Sequence, residues 1–226
     1  MAIFGLDPVR ERIRNAARTA GRDPGSVALV AVSKARTPDA ILELAAGGQR
    51  AFGENYLQEA LPKIRLLSGY LLEWHFIGRV QTNKAEDIAS NFAWVHTVDR
   101  ERVAERLNAG RADFLPRLNV CIQVNVSGEV SKGGVALDVL PGLVQRVMDY
   151  PRLMLRGLMA LPPPEPDPAR QRAAFAPLME AIQGLNAQGL GLDTLSIGTS
   201  DDLEAAIAEG ATLVRIGTAL FGPRPP

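Results

Sequence analysis

A chain of 226 residues with 25 basic and 25 acidic side chains and a hydrophobic share of 46% reads as a soluble globular protein. The balanced charge and the absence of a basic stripe argue against nucleic acid as the main partner, and no apolar stretch is long enough to span a membrane. The single cysteine, Cys121, cannot form an internal disulfide. With no cleavable signal pattern in residues 1–14, the expected compartment is the cytoplasm.

Helical spacing over residues 10–19 precedes the first strand. The run Val27-Ala28-Leu29-Val30-Ala31-Val32-Ser33-Lys34 then reads as a strand buried on both faces, as in parallel sheets. Thr37 is placed as an N-cap and Pro38 at the first helical position, opening a helix over residues 40–46. Further strands are expected from about Ala51, Trp74, Trp94, Asn119, Leu155, Thr194 and Leu213. Between them, amphipathic spacing predicts helices over 55–67, 83–91, 100–108, 135–149 and 170–188. Asp201-Asp202-Leu203-Glu204 has capping-box spacing before a helix over 205–209. Eight strand-helix units at this length predict an α/β protein with the (β/α)8 TIM barrel fold, one domain over residues 1–226 with an extra N-terminal helix. A doubly wound open sheet usually has fewer strands.

Active faces of such barrels are built at the C-terminal ends of the strands. The polar residues there are Lys34, Glu54, Asn55, His75, Asp99, Asn125, Ser127, residues 196–201 and Arg215 to Thr218. A lysine at such a mouth can be partly desolvated and nucleophilic, as a Schiff-base amine requires; the plainer reading is a lysine that snorkels to solvent. Ser196-Ile197-Gly198-Thr199-Ser200-Asp201 and Arg215-Ile216-Gly217-Thr218 follow the last two strands, where barrels often bind phosphate. Ser200, Gly217 and Thr218 are the phosphate candidates. A plain turn with a helix cap explains the first loop equally well, since Asp201 and Asp202 repel an anion.

Arg215 interrupts an apolar strand and needs a polar partner if it points inward. A structural carboxylate is one such partner, a ligand nitrogen or anion the other. His75 and His96, the two histidines, read best as core residues bonded to backbone. Ser131-Lys132-Gly133-Gly134 reads as a solvated turn or a lid. Glycine and lysine spacing excludes a phosphate-binding P-loop, and no metal cluster or catalytic triad appears.

Ordered motifs along nearly the whole chain resemble the pyridoxal phosphate homeostasis family, relatives of the barrel domain of alanine racemase. They are Ala31-Val32-Ser33-Lys34, Phe52-Gly53-Glu54-Asn55-Tyr56 and His75-Phe76-Ile77-Gly78 with Gln81, Asn83 and Lys84. Asn125-Val126, Ser131-Lys132, Arg156-Gly157-Leu158-Met159, Ser200-Asp201-Asp202 and Arg215-Ile216-Gly217-Thr218 complete the set. The resemblance implies a barrel of the alanine racemase type with pyridoxal 5′-phosphate as cofactor, held as a Schiff base on Lys34. It implies Ser200, Gly217 and Thr218 at the phosphate, Arg215 at the pyridine nitrogen, and Asn55 and His75 near the cofactor. It implies a role in cofactor buffering and delivery and in amino-acid and keto-acid balance, without robust catalysis. PLP-dependent apo-enzymes are the implied recipients, and a monomer is expected.

Two positions depart from the family. Thr199 follows Gly198 where methionine is usual, and Gly133 stands where a bulkier residue is common; both bear on affinity rather than on cofactor identity. A weak PLP-dependent amino-acid racemase is the alternative. It needs a second base, and Tyr56, Tyr70 and Tyr150 have no evident placement for that work. A sugar-phosphate barrel enzyme with a Schiff-base lysine explains Lys34 and the phosphate loops but not the ordered motifs.

Overall fold

A computed structural model describes residues 4–128 and 133–223. Eight parallel strands close into a barrel in sequence order: β1 (Ala28–Val32), β2 (Ala51–Glu54), β3 (Glu73–Phe76), β4 (Trp94–Val98), β5 (Leu118–Gln123), β6 (Leu153–Met159), β7 (Thr194–Ser196) and β8 (Leu213–Ile216). The β1–β8 pairing, with Val30 opposite Arg215 and Ala31 opposite Ile216, closes the ring. The fold is the expected (β/α)8 barrel, and no strand begins more than two residues from its expected start.

The helices are α1 (Leu6–Thr19), α2 (Pro38–Ala46), α3 (Leu57–Leu66), α4 (Ala85–Asn91), α5 (Glu101–Gly110), α6 (Leu140–Met148), α7 (Pro168–Ala187), α8 (Leu203–Ala208) and α9 (Thr218–Phe221). Local chemistry sets several starts. Thr37 Oγ1 accepts from the Ala40 amide at α2, and Asp167 accepts from the Ala169 and Arg170 amides at α7. The capping box before α8 does not form. Asp202 instead accepts from the amide and hydroxyl of Thr199, at 2.5 and 2.8 Å, and its side chain leaves the helix terminus uncapped. Helix α6 starts at Leu140 rather than near 135, and α9 was not expected from the periodicity, being one turn long.

Strand alternation produces two different interiors. Trp74 and Phe76 of β3, Val95 of β4 and Val120 and Ile122 of β5 belong to the apolar core, together with buried helix residues such as Ile88, Leu107 and Phe175. The opposite residues fill the barrel lumen. There Trp94, Cys121 and Met159 form a small separate apolar cluster, and His75, His96, Ser196 and Arg215 are buried beside it. Barrel lumens are usually filled with branched apolar side chains; here a large share is hydrogen-bonding. Burial raises the Cys121 thiol to about 12, which keeps it an unreactive packing group.

Candidate functional site

The C-terminal mouth of the barrel carries a cleft of about 190 Å³. Lys34, Asn55, Ser200, Arg215, Gly217 and Thr218 all line it, with Arg36, Thr199 and Asp201, and Val32, Ile77, Met159 and Leu161 supply apolar walls. A neighbouring cleft of about 540 Å³, lined by Pro162, Pro164 and Pro166 of the segment between β6 and α7, shares Leu161, Thr199 and Asp201. Of the seven residues singled out from sequence, only His75 is not on the cleft; it lies in the lumen, with its ring stacked on Trp94. Ser131 and Lys132 lie outside the described residues.

Lys34 is half-buried just past the end of β1, in a turn tied down on both sides. Ser33 is fully buried; its amide donates to Gly53 O and its hydroxyl to Glu54 Oε1 at 2.6 Å. On the other side, Ala35 has φ 57°, a left-handed conformation that costs a residue with a Cβ on the order of 1 kcal/mol. Its amide donates to Glu59 Oε1 of α3. Lys63, one turn along α3, donates to Ser33 O and Glu54 Oε1, each at 2.9 Å, and to Glu59. A buried cation and two carboxylates therefore fix the backbone on either side of Lys34. Arg36 adds a third tie, donating to the carbonyls of Phe221 and Gly222 at the end of α9.

Glu54 is fully buried, and burial pushes its carboxyl above the usual range against the opposing pull of Ser33 and Lys63. Breaking a buried pair of this kind by removing one partner is costly. Lys63→Met is expected to destabilise the fold by about 3–5 kcal/mol. Denaturant titration measures the loss; a change below about 1 kcal/mol, the range of exposed pairs, would contradict the assigned network.

Asn55 follows β2 onto the cleft, and its buried Oδ1 has no partner among the described residues. The backbone there leaves no room for a side chain opposite: a Cβ on Gly78 would sit 2.0 Å from Asn55 O. The two phosphate-candidate loops are stitched together, since the Ala219 amide donates to Ser200 Oγ at 3.3 Å. Gly198 adopts φ 93°, and a Cβ there would meet Ala206 at 2.7 Å, so a glycine is required to bring the loop close to α8. The Thr199 hydroxyl is turned away to Asp202. Asp201 also lines the cleft and opposes an anion locally, while the guanidinium of Arg36 lines the same cleft.

Arg215 points inward and is 4% exposed. Its hydrogen-bond partners within the protein are carbonyl and hydroxyl oxygens, with the Asp202 carboxylate acting only through its charge. Nη1 donates to Ser196 O and Ser196 Oγ, both at 2.6 Å, and Nη2 donates to Ala160 O at 3.0 Å. Burial pushes its pKa down to about 10, so it remains a cation at neutral pH. A guanidinium has five N–H donors. Three are used in these bonds, and Nε–H and one Nη2–H are left without a partner among the described residues.

The histidines are not bonded to backbone, as first expected. His75 Nδ1 lies 2.9 Å from His96 Nε2, His75 Nε2 lies 2.8 Å from Glu73 Oε1, and His96 Nδ1 lies 2.8 Å from Ser196 Oγ. Burial lowers the pKa of both rings, and His96 falls well below the usual value, helped by Arg215; Glu73 opposes the shift at His75. The unfolded chain therefore binds protons near pH 6.5 that the native protein refuses. Stability is full above about pH 6.5 and is lost as pH falls below it, toward the depressed native values. Each ring contributes a slope of about 1.4 kcal/mol per pH unit. Thermal unfolding between pH 7 and 5 checks this, and a flat profile would mean that the rings take up protons in the fold as they do in the unfolded chain.

Sequence reasoning singled out the cleft residues but not Ser33, Glu59 and Lys63 as their support. The i,i+4 spacing of Glu59 and Lys63 on an amphipathic helix was the available signal, but it reads first as a solvated pair.

Comparison with known proteins agrees with this geometry. Residues 5–225 match the family model described as alanine racemase, N-terminal domain. The pyridoxal phosphate homeostasis protein of Pseudomonas aeruginosa is 59% identical over 216 residues, covering 96% of this chain and 93% of that protein. This chain belongs to the pyridoxal phosphate homeostasis protein family. The Escherichia coli family member is 50% identical over 222 residues, 97% of this chain and 95% of its own. Among solved structures, PipY of Synechococcus elongatus with PLP bound superposes with a TM-score of 0.81 at 36% identity, covering 93% of this chain and 100% of PipY. An alanine racemase from Bacillus anthracis matches the fold at a TM-score of 0.70 and 18% identity, covering 99% of this chain and 57% of the racemase. Family membership thus places the barrel among homeostasis proteins, and the likeness to racemases extends to the fold alone.

Proposed function

We propose that this protein binds pyridoxal 5′-phosphate in the cleft at the barrel mouth, with Lys34 holding the cofactor as a Schiff base, and serves intracellular PLP homeostasis. The observation that carries the reading is the set of polar groups at one cleft. An amine on a braced turn, an unpartnered buried Asn55 oxygen, two spare Arg215 N–H donors and a hydroxyl-lined loop pair converge there. These groups suit the parts of the cofactor. Lys34 meets the aldehyde carbon, Arg215 donates to the pyridine nitrogen, and Ser200, Thr218 and the backbone at Gly217 take the phosphate. When bound, the cofactor supplies an electron-withdrawing ring. An arginine at the ring nitrogen does not readily give up a proton and so leaves that nitrogen unprotonated, which restrains carbanion chemistry. This favours carriage over catalysis.

Thr218 is exposed at the phosphate end whereas Arg215 is buried at the ring end, an arrangement that leaves the cofactor accessible for release to PLP-dependent apo-enzymes. The racemase alternative gains nothing from the cleft, because none of the three tyrosines lines it. The test is a visible absorption spectrum of the protein with pyridoxal phosphate, followed by borohydride reduction and peptide mass spectrometry. A Schiff-base band with the reduced label on Lys34 is expected. No band, or label scattered over surface lysines, would overturn the reading and favour a sugar-phosphate ligand.

A further inference from the structure

Four side chains link Arg215 to the opposite end of the barrel. The series runs from Arg215 Nη1 to Ser196 Oγ (2.6 Å), from Ser196 Oγ to His96 Nδ1 (2.8 Å), from His96 Nε2 to His75 Nδ1 (2.9 Å), and from His75 Nε2 to Glu73 Oε1 (2.8 Å). It crosses the lumen from β8 and β7 to β4 and β3. Glu73 is the first residue of β3, so its carboxylate sits at the N-terminal end of the barrel, about half exposed. The three middle members are buried.

With both rings kept neutral by burial, the carboxylate at one end dictates the direction of every bond. A guanidinium can only donate and an ionised carboxylate can only accept. Contact with His75 holds the Glu73 carboxyl below its ordinary range, so it is ionised at neutral pH. A neutral His75 therefore carries its proton on Nε2 and gives it to Glu73, and its bare Nδ1 accepts from His96 Nε2–H. The bare His96 Nδ1 then accepts from the Ser196 hydroxyl, whose oxygen accepts from Arg215. Only neutral imidazoles satisfy this order, since a charged ring would aim a second hydrogen at a donor. Stacking of His75 on Trp94, with centroids 5.3 Å apart and planes 6° apart, holds the ring in that plane; Arg156 covers Trp94 at 4.9 Å.

Because Arg215 does not give up its proton, the series is no proton wire. Its effect is orientation. Both hydrogens of Nη1 are committed to Ser196, and since Arg215 lines the cleft, Nε–H and one Nη2–H are the donors left for a ligand there. We propose that Glu73, His75, His96 and Ser196 form a directed hydrogen-bond chain that positions Arg215 for the ring of the bound cofactor. The role at the ring rests on the functional reading above. Ser196, His96, His75 and Glu73 are positioning residues, none of which lines the cleft.

Imidazole nitrogen NMR on the ligand-free protein tests the chain without reference to cofactor. Both rings are expected to be neutral with the proton on Nε2, and a scalar coupling is expected across the His96 Nε2–H to His75 Nδ1 bond. A proton on Nδ1 of either ring, or a charged ring at neutral pH, would overturn the proposal. In Ser196→Ala the His96 Nδ1 resonance should move to that of an unbonded nitrogen, and affinity for pyridoxal phosphate should fall about tenfold with an altered absorption band. Glu73→Ala should release the His75 ring and weaken binding severalfold, while Glu73→Gln, whose amide oxygen still accepts, should restore both readouts. A merely structural role predicts none of the imidazole shifts. Wild-type affinity and spectrum in Ser196→Ala, with His96 visibly released, would refute positioning while leaving the functional reading intact. If the wild-type protein bound no pyridoxal phosphate, the functional reading and the role at the ring would both fall, a result that the imidazole spectrum by itself does not produce.

Discussion

Lys34→Ala should abolish the visible Schiff-base band and the borohydride-stable label while leaving the barrel folded. The side chain is half-buried at a cleft, not in either core, and the bonds that shape its turn are made by Ser33, Ala35, Glu54, Glu59 and Lys63. Truncating a half-buried side chain at a cleft removes no core packing and costs on the order of 1 kcal/mol. The unfolding midpoint should therefore lie within about 4 °C of the wild type. Arg215, Asn55, Ser200 and Thr218 remain, so some pyridoxal phosphate should still bind without a covalent link. Spectral titration reads both results. An unchanged band in this variant would remove Lys34 from the site; among the described residues no other lysine lines the cleft. A large fall in midpoint would instead mean that the Lys34 side chain supports the strained turn at Ala35.

The outer architecture was legible because its signals are local. A strand covered on both faces reads as a short apolar run, and the start of α2 reads from Thr37-Pro38. The lumen was less legible. Period-two alternation says that His75 and Trp74 face opposite ways, but in a barrel both faces are buried, and nothing local marks which of them faces the lumen. His96 and Ser196 are 100 residues apart, and their pairing depends on ring closure. The same holds for Lys63, whose i,i+4 partner Glu59 suggests a surface pair until β2 brings Glu54 beneath it. The capping-box pattern before α8 misled for a local reason: Thr199 offers Asp202 an amide and a hydroxyl closer than the helix terminus does. Lys34, by contrast, stood out in sequence because a charge ending an apolar strand is rare, and the structure puts it where the two loops after β7 and β8 converge.

Arg215 carries the other large effect, and its bonding decides which substitution is informative. Charge reversal to glutamate would set a carboxylate against Ser196 O and Ala160 O, which are acceptors themselves, so loss of folding would be the trivial outcome. Arg215→Met keeps an unbranched side chain without donors. It strands two buried carbonyls, each at about 1–3 kcal/mol, and frees the Ser196 hydroxyl. Destabilisation of about 2–6 kcal/mol follows, or a midpoint lowered on the order of 10 °C. Pyridoxal phosphate should still form its link to Lys34, with weaker affinity and a shifted band, because the ring nitrogen has lost its donor while the amine has not moved. Arg215→Lys separates the two consequences. One ammonium can satisfy a carbonyl but cannot span Ser196, Ala160 and the ring together, so stability should recover in part while the band stays shifted. Full recovery of both would show that charge alone matters at this position. A methionine variant with the wild-type midpoint would mean that the guanidinium is not bonded to these carbonyls.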